Sequence, residues 1–295
     1  MLTPVETSID SNLDEWLLDF NAKITDEDPV RTERELDTLK RLVSEISGCK
    51  VLLEDKYLMK FLRAANFDSQ KAFRMIDTIH QWRLASPGHY LPEGKGPLDY
   101  EHVYKLRCVE VLRHRNPRDG SAIVIVSAGD WNPKTGVDFL ESQNAGCFVA
   151  DIVLDDERVQ RDGVTLIIDS KGICFSWLIH FFPPSCIQSV VYNLQDTCPI
   201  RFVGVHIINE SRLSKLLYNI ASPFISNENK EKIHFHGPNI EMLQKFIPRE
   251  VLPRRYFGAQ PSDFNWIPEL AYEKHDFYVA RSVLPKPPSR RSSIK

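Results

Sequence analysis

The sequence predicts an α/β protein in which a small all-helical unit precedes a mostly parallel β-sheet flanked by helices. Two observations predict this class. Apolar residues recur at helical spacing as far as Ala85, and beyond the Pro-, Gly- and charge-rich stretch 86–98 strand-like runs alternate with helical ones. Strands separated by helices are expected to pair in parallel through helical crossovers. The predicted divisions are 1–95, with 1–27 weakly ordered, 96–265, and a C-terminal tail at 266–295.

Helical spacing defines the first unit. Leucines from Leu36 to Leu42, with Val43 and Ile46, form one apolar stripe, and a second helix is predicted over Glu54–Ala64. Asp68 is a good N-cap for a third helix, which is expected to run to about Ala85.

Strand signals dominate the second unit. The predicted elements, in order, are strands Val109–Arg113 and Ala122–Ser127, helix Phe139–Val159, a buried strand from Val164 to Asp169, and helix Phe182–Leu194.

The stretch from Pro199 to Gly237 predicts a strand, a helix and a strand, followed by a last helix over Asn239–Phe246. The strands are Arg201–Asn209 and Lys232–His236. The helix between them, Ser211–Ser226, carries one apolar stripe, so it either seals a core or covers a cavity. The stripe contains Leu213, Leu216, Leu217, Ile220 and Phe224.

Bulk composition narrows the functional classes. The chain has 295 residues and a net charge of −3, so no global basic field argues for a nucleic-acid partner. No apolar run approaches the roughly 20 residues that span a bilayer, and the acidic N-terminus does not resemble a secretory signal. The six cysteines show no CxxC pair, which favours free thiols in a reducing compartment. We therefore expect a cytoplasmic protein, for which a monomer is favoured.

Sequence motifs of catalysis and metal binding are missing, so the chain is predicted not to be an enzyme and to need no cofactor. Asp169 or His206 could serve a hydrolase, but Asp169 at a strand end is interpreted as capping its own turn. His234 and His236 share one face of a strand, yet no third ligand stands at usable spacing, so no metal site is predicted.

Basic residues surround the amphipathic helix in the sequence. A basic rim beside an apolar helix suits transient contact with an anionic membrane surface. The residues are Arg201, Lys215, Lys230, Lys232, Arg254 and Arg255.

Several ordered motifs resemble those of the CRAL-TRIO family of lipid-binding and lipid-transfer proteins, closest to its tocopherol- and retinaldehyde-binding animal branch. The resemblance covers roughly 30 to 265. It is carried by the segments Tyr57–Asp68, Gly163–Gly172, Gly204–Glu210, Ile233–Gly237 and the pair Leu252-Pro253.

The resemblance implies a cage between a sheet and an amphipathic gate helix, here Ser211–Ser226. The cage is expected to hold a hydrophobic ligand, and the protein is expected to bind membranes peripherally and reversibly. The implied pocket residues, besides the stripe of the gate, are Gly146, Phe148, Ala150, Ile168, Ile173, Val190, Leu194, Ile200, Phe202 and Val205.

Departures from the family pattern bear on the ligand. Gly146 and Ala150 stand where tocopherol-binding relatives have serines, and Ser189 and Ser222 stand where phosphatidylinositol-transferring relatives have a Glu and a Lys. The resemblance thus implies a carrier of a retinoid, tocopherol, carotenoid or related isoprenoid that moves its cargo between membranes. The alternative is a phosphoinositide-binding reader of membrane signals or an adaptor.

Overall fold

The fold is taken from a computed structural model, which describes residues 27–46, 54–86, 88–131, 133–175, 184–260 and 267–282. Its helices are α1 (Pro29–Ser44), α2 (Asp55–Ala64), α3 (Ser69–Ala85), α4 (Glu101–Tyr104), α5 (Phe139–Val153), α6 (Glu157–Asp162), α7 (Pro184–Tyr192), α8 (Arg212–Ala221), α9 (Asn227–Glu231) and α10 (Ile267–Ser282). Its strands are β1 (Val109–Val111), β2 (Ala122–Ser127), β3 (Val164–Asp169), β4 (Phe202–Ile208) and β5 (Ile233–Phe235).

The strands form one sheet in the order β1-β2-β3-β4-β5. β1 is antiparallel to β2, and the remaining pairs are parallel, which confirms the predicted α/β class. The runs Ala122–Ser127 and Val164–Asp169 are rich in β-branched residues, which suit a pleated surface covered by helices.

The first three helices bury a core of their own, built from the predicted stripe. Leu39 and Val43 of α1 pack against Leu58 and Phe61 of α2 and against Ile76 of α3. The cap of α3 is as predicted, because the Asp68 carboxylate accepts a hydrogen bond from the Lys71 amide at 2.9 Å.

A buried ion cluster ties α2 to α5 and α10. The Lys60 ammonium, only 3% exposed, lies 3.1 Å from the Asp151 carboxylate and 2.8 Å from that of Asp155. Lys274 also pairs with Asp155 at 2.8 Å, and the Tyr278 hydroxyl donates to Asp151 at 2.6 Å. The cluster therefore joins three helices that are far apart in the sequence.

Three predicted helices end or continue differently in the structure. The helix predicted over Phe139–Val159 breaks into α5 and α6, because Asp156 caps a new start by accepting from the Arg158 amide at 2.9 Å. The last predicted helix, Asn239–Phe246, is instead a 3-10 helix over Ile240–Lys245. α7 ends at Tyr192 and continues as a π turn over Asn193–Thr197.

The region assigned to a tail contains a long helix that the sequence analysis missed. α10 places Ile267, Ala271 and Tyr278 in the main core, at spacings of four and seven that one helix face provides. The residues from 283 onward, the N-terminal residues 1–26 and the segment 176–183 lie outside the described residues, and so do the predictions made for them.

Candidate functional site

The two faces of the sheet differ in how well they are covered. On one face, here the closed face, Ile123, Ile125 and Ile167 have no exposed surface and pack under the segment 243–256. On the other, here the open face, apolar side chains of the central strands keep accessible surface. These residues are Val124, Val126, Leu166, Ile168, Val205 and Ile207. An apolar sheet face that stays partly accessible is not closely packed by the described residues.

Helix α5 supplies a second wall of the predicted pocket. Gly146 and Ala150 lie one turn apart and are half-buried. A Cβ added at Gly146 would meet no atom of the described residues within 4 Å. Phe148 points the other way: it is 0% exposed, and its ring lies 5.2 Å from that of Tyr278. The structure thus places Phe148 in the packed core behind the wall, apart from the predicted pocket residues that remain accessible.

Two half-buried thiols have strongly raised pKa values. Burial raises the pKa of Cys198 to about 12, and burial likewise raises the pKa of Cys147 well above its ordinary value. Both residues nevertheless keep part of their surface accessible. Cys147 packs against the core of the first three helices. The sequence analysis did not select Cys147, although it lies beside Gly146 and one turn before Ala150.

Helix α8 lies where the gate was predicted, but it is shorter than predicted. Ser211 caps it by accepting from the Leu213 amide at 3.2 Å and the Ser214 amide at 3.3 Å. The α-helix ends at Ala221, and Ser222–Phe224 forms a 3-10 turn. Pro223 explains the end, because proline lacks an amide hydrogen and disfavours helical geometry before it.

The apolar stripe of α8 is only loosely packed. Leu216 is 45% exposed and Phe224 is 42% exposed, whereas Leu217 is half-buried against the main core. The Tyr218 ring meets the Phe235 ring of β5 edge-on, with centroids 5.0 Å apart. α8 therefore contacts the sheet edge through Tyr218 and the main core through Leu217, while Leu216 of its stripe stays exposed.

The other predicted pocket residues divide between the wall and the surface. Ile173 and Ile200 are half-buried and pack against the same core as Leu217. Leu194 is largely exposed, and so is its neighbour Tyr192. The remaining predicted residues, Ile168, Val190, Phe202, Val205, Leu213 and Ile220, are half-buried.

The structure brings only part of the predicted basic set together. Arg201 and Lys232 directly precede the neighbouring strands β4 and β5. The Arg201 guanidinium donates to the Arg161 carbonyl, and Lys232 pairs with Glu228 at 3.0 Å. Lys230 is half-buried nearby in α9, and Lys215 is exposed on α8.

Arg255 lies at the other edge of the sheet from Lys232. The Arg255 guanidinium pairs with Glu110 of β1 and stacks over the Tyr256 ring at 4.9 Å. β1 and β5 are the opposite edges of the sheet, about 19 Å apart at the usual strand spacing. The sequence could not show this because it does not specify the strand order.

Three histidines stack on the closed face beneath β4 and β5. His206 Nδ1 lies 2.9 Å from His236 Nε2, and the ring centroids of His206 and His234 are 5.2 Å apart. Burial, with the neighbouring imidazoles, lowers the pKa of His206 to about 3 and also lowers the pKa of His236. Within the described residues, no group of three or more His, Cys, Asp or Glu side chains is arranged to hold a metal ion.

Asp169 has the predicted capping role. Its carboxylate accepts from the Lys171 amide at 2.9 Å, from the Asn209 side chain at 2.9 Å and from the Tyr256 hydroxyl at 3.0 Å. These bonds confirm the turn interpretation and fix the loop after β3 to the segment after β4.

Comparisons with known proteins point to one family. The family profile described as CRAL/TRIO domain matches residues 109–258. The alpha-tocopherol transfer protein-like protein of Homo sapiens is 28% identical over 247 residues, which are 83% of this chain and 71% of that protein. Clavesin-1 of Rattus norvegicus is 26% identical over 208 residues, covering 70% of this chain and 58% of that protein.

Among solved structures, the crystal structure of Sfh5 is similar with a TM-score of 0.54 at 12% identity. The match covers 84% of this chain and 93% of that chain, and it supports the fold. Among the helices described here, none is long and apolar enough to span a bilayer.

Proposed function

This chain belongs to the CRAL/TRIO family, and we propose that it is a carrier that transfers a hydrophobic small molecule between membranes. The cargo, a retinoid, tocopherol, carotenoid or related isoprenoid, would lie between the open face of the sheet and α8. The observation that carries the proposal is the open face, whose apolar side chains keep accessible surface. Each 100 Å² of apolar surface that a ligand covers there would contribute about 2.5 kcal/mol.

Shape is proposed to select the cargo. The wall at Gly146 and Ala150 offers no side-chain hydroxyl, and the space before Gly146 is open. A ligand that depends on a directed hydrogen bond to this wall would find little to bind, whereas a broad hydrocarbon skeleton would be well accommodated.

Membrane contact is proposed for the side of the molecule that carries α8. Large apolar side chains are exposed there, among them Leu216 and Phe224, and Tyr192 and Leu194 precede them in the chain. Lys215 on the same helix is exposed. Apolar side chains beside cations suit the headgroup region of an anionic bilayer.

The alternative, a reader of phosphoinositides, has less support. Arg255 is held by the buried Glu110 at the far edge of the sheet, and Lys232 is paired with Glu228. The predicted cations do not converge on one headgroup-sized site, so we favour the carrier.

Lipid extraction tests the carrier proposal. Protein recovered from cells is extracted with organic solvent and the extract is analysed by mass spectrometry, and the unloaded protein is titrated with retinoid and tocopherol analogues. We expect a stoichiometric isoprenoid lipid or saturable uptake of an analogue. An empty extract together with no uptake would overturn the proposal.

Flotation with liposomes tests the membrane surface separately. The double variant Arg201→Glu, Lys232→Glu is compared with a control of equal charge change, Arg34→Glu with Lys105→Glu, at sites where the native side chains are each 69% exposed. We expect only the first variant to lose binding to vesicles containing phosphatidylserine. If both variants bind the vesicles equally well, Arg201 and Lys232 are not part of the membrane-binding surface.

A further inference from the structure

One side chain, Gln195, makes several hydrogen bonds to the C-terminal end of the gate. The amide of Gln195 sits in the π turn after α7 and donates through Nε2 to the Phe224 carbonyl at 2.9 Å. Its Oε1 accepts from the Ser226 amide at 2.8 Å and from Asn229 Nδ2 at 3.1 Å. Gln195 therefore bonds to the 3-10 turn that ends the gate and to the helix that follows it.

The N-terminal end of the gate is held in a different way. Glu210 Oε1 accepts from the Gly237 amide at 2.8 Å, and the Asn209 side chain donates to Asp169 at 2.9 Å. These bonds are partly buried and join the segment before Ser211 to the ends of β3 and β5. The bonds of Gln195 to Phe224 and Ser226 are exposed to solvent. The gate thus has one end fixed to the sheet and one end tied at the surface.

On the basis of the proposed carrier function, we propose that Gln195 is a latch that sets the rate of cargo release. When its bonds break, the end of the gate at Ser222–Phe224 can move away from the cargo while the end at Ser211 stays fixed. Exposed neutral hydrogen bonds exchange readily with water, so their loss and return require little net free energy. Phe224 at that end is 42% exposed, so the end buries little of its largest apolar side chain.

The latch needs both a donor and an acceptor, which an amide provides and a carboxylate does not. Gln195→Ala removes every bond of the side chain. Gln195→Glu keeps the acceptor for Ser226 and Asn229 and loses the donor to Phe224. Gln188→Ala is the matched control, because Gln188 is exposed on the adjacent α7 and the same side chain is removed.

Release kinetics give the first test. Each variant is loaded with all-trans-retinol, whose own fluorescence reports transfer to phosphatidylcholine vesicles. We expect Gln195→Ala to release the probe about tenfold faster, as the loss of a few exposed hydrogen bonds would allow. Gln195→Glu should be intermediate, and Gln188→Ala should match the wild type. The midpoint of thermal unfolding should be alike in all four proteins.

Hydrogen–deuterium exchange of the unloaded protein gives a second test that needs no cargo. Exchange in the peptide 222–229 should accelerate in Gln195→Ala, and exchange in β4 should not change. The latch would be overturned if Gln195→Ala released the probe and exchanged its amide hydrogens at the rates of the wild type. It would also be overturned if the faster release of a variant only followed from lower thermal stability. Failure of the wild type to load any lipid would instead overturn the carrier proposal, and exchange would then decide the latch alone.

Discussion

Acid should destabilise this protein through the histidine stack beneath β4 and β5. The pKa of His206 is lowered by burial and by His236 and His234, from 6.5 to about 3. In the unfolded chain the imidazole takes up a proton near pH 6.5, whereas the folded protein does not, so acid favours unfolding. The contribution to stability is complete above pH 6.5 and is lost as the pH falls towards 3.

The magnitude follows from the two pKa values. When the pH falls from 7 to 5, protonation of His206 in the unfolded chain lowers the free energy of unfolding by about 2 kcal/mol. The lowered pKa of His236 acts in the same direction. Urea unfolding followed by circular dichroism at both pH values measures this change in the free energy of unfolding.

The variant His206→Asn removes the titrating group and keeps a hydrogen-bonding partner for His236. We expect its free energy of unfolding to be lower at pH 7 but to change by about 2 kcal/mol less between pH 7 and pH 5. His102→Asn is the control, because His102 is exposed and pairs only at the surface with Glu141. Ion-paired carboxylates titrate in all the proteins, so their contribution cancels when the pH-dependent changes in unfolding free energy are compared. Equal changes in the wild type and His206→Asn would refute the reasoning.

Four further substitutions test the packing. Leu217→Asp places a charge on the face of α8 towards the core, so retention of bound retinol should fall more than the free energy of unfolding. Equal losses would mean that α8 is ordinary core. Lys60→Met leaves Asp151 and Asp155 without their buried cation. The free energy of unfolding, measured in urea, should fall by about 3–5 kcal/mol. A fall below about 1 kcal/mol would contradict the buried cluster. Gly146→Ala should stabilise α5 by about 0.5–1 kcal/mol, because its methyl group enters open space. Gly163→Ala should destabilise, since φ is +83° there and the new Cβ would lie 2.5 Å from the Arg201 carbonyl oxygen. Thermal unfolding of Gly146→Ala and Gly163→Ala tests this reasoning. Midpoints that shift in the same direction for the two variants would contradict it.

The sequence predicted the elements that depend on local patterns. The apolar runs of β2, β3 and β4 and the Asp68 cap were located to within about two residues. Helix breaks were harder to predict, because a single residue such as Asp156 or Pro223 redirects the chain against an otherwise continuous apolar pattern. α10 was missed although Ile267, Ala271 and Tyr278 share one face, because charged residues interrupt that face.

The features that sequence reasoning missed depend on contacts between distant segments. The spacing of His234 and His236 predicted one shared face, but their partner His206 follows from the register of β4 against β5. Gln195 is one glutamine among several, and its role depends on where the chain returns after α8. Which cations surround the gate depends on strand order, which separates Arg255 from Lys232.

The ion cluster around Lys60 has a consequence for how the chain matures during synthesis. Lys60 belongs to a helical core that can assemble early, but its partners Asp151 and Asp155 emerge about 90 residues later, and Lys274 and Tyr278 emerge later still. Until those residues arrive, the ammonium must stay in water, because burial without a partner is strongly unfavourable. We therefore expect the first three helices to dock onto the sheet domain only after Asp151 and Asp155 have been synthesised, and the cluster to be completed when Lys274 and Tyr278 follow.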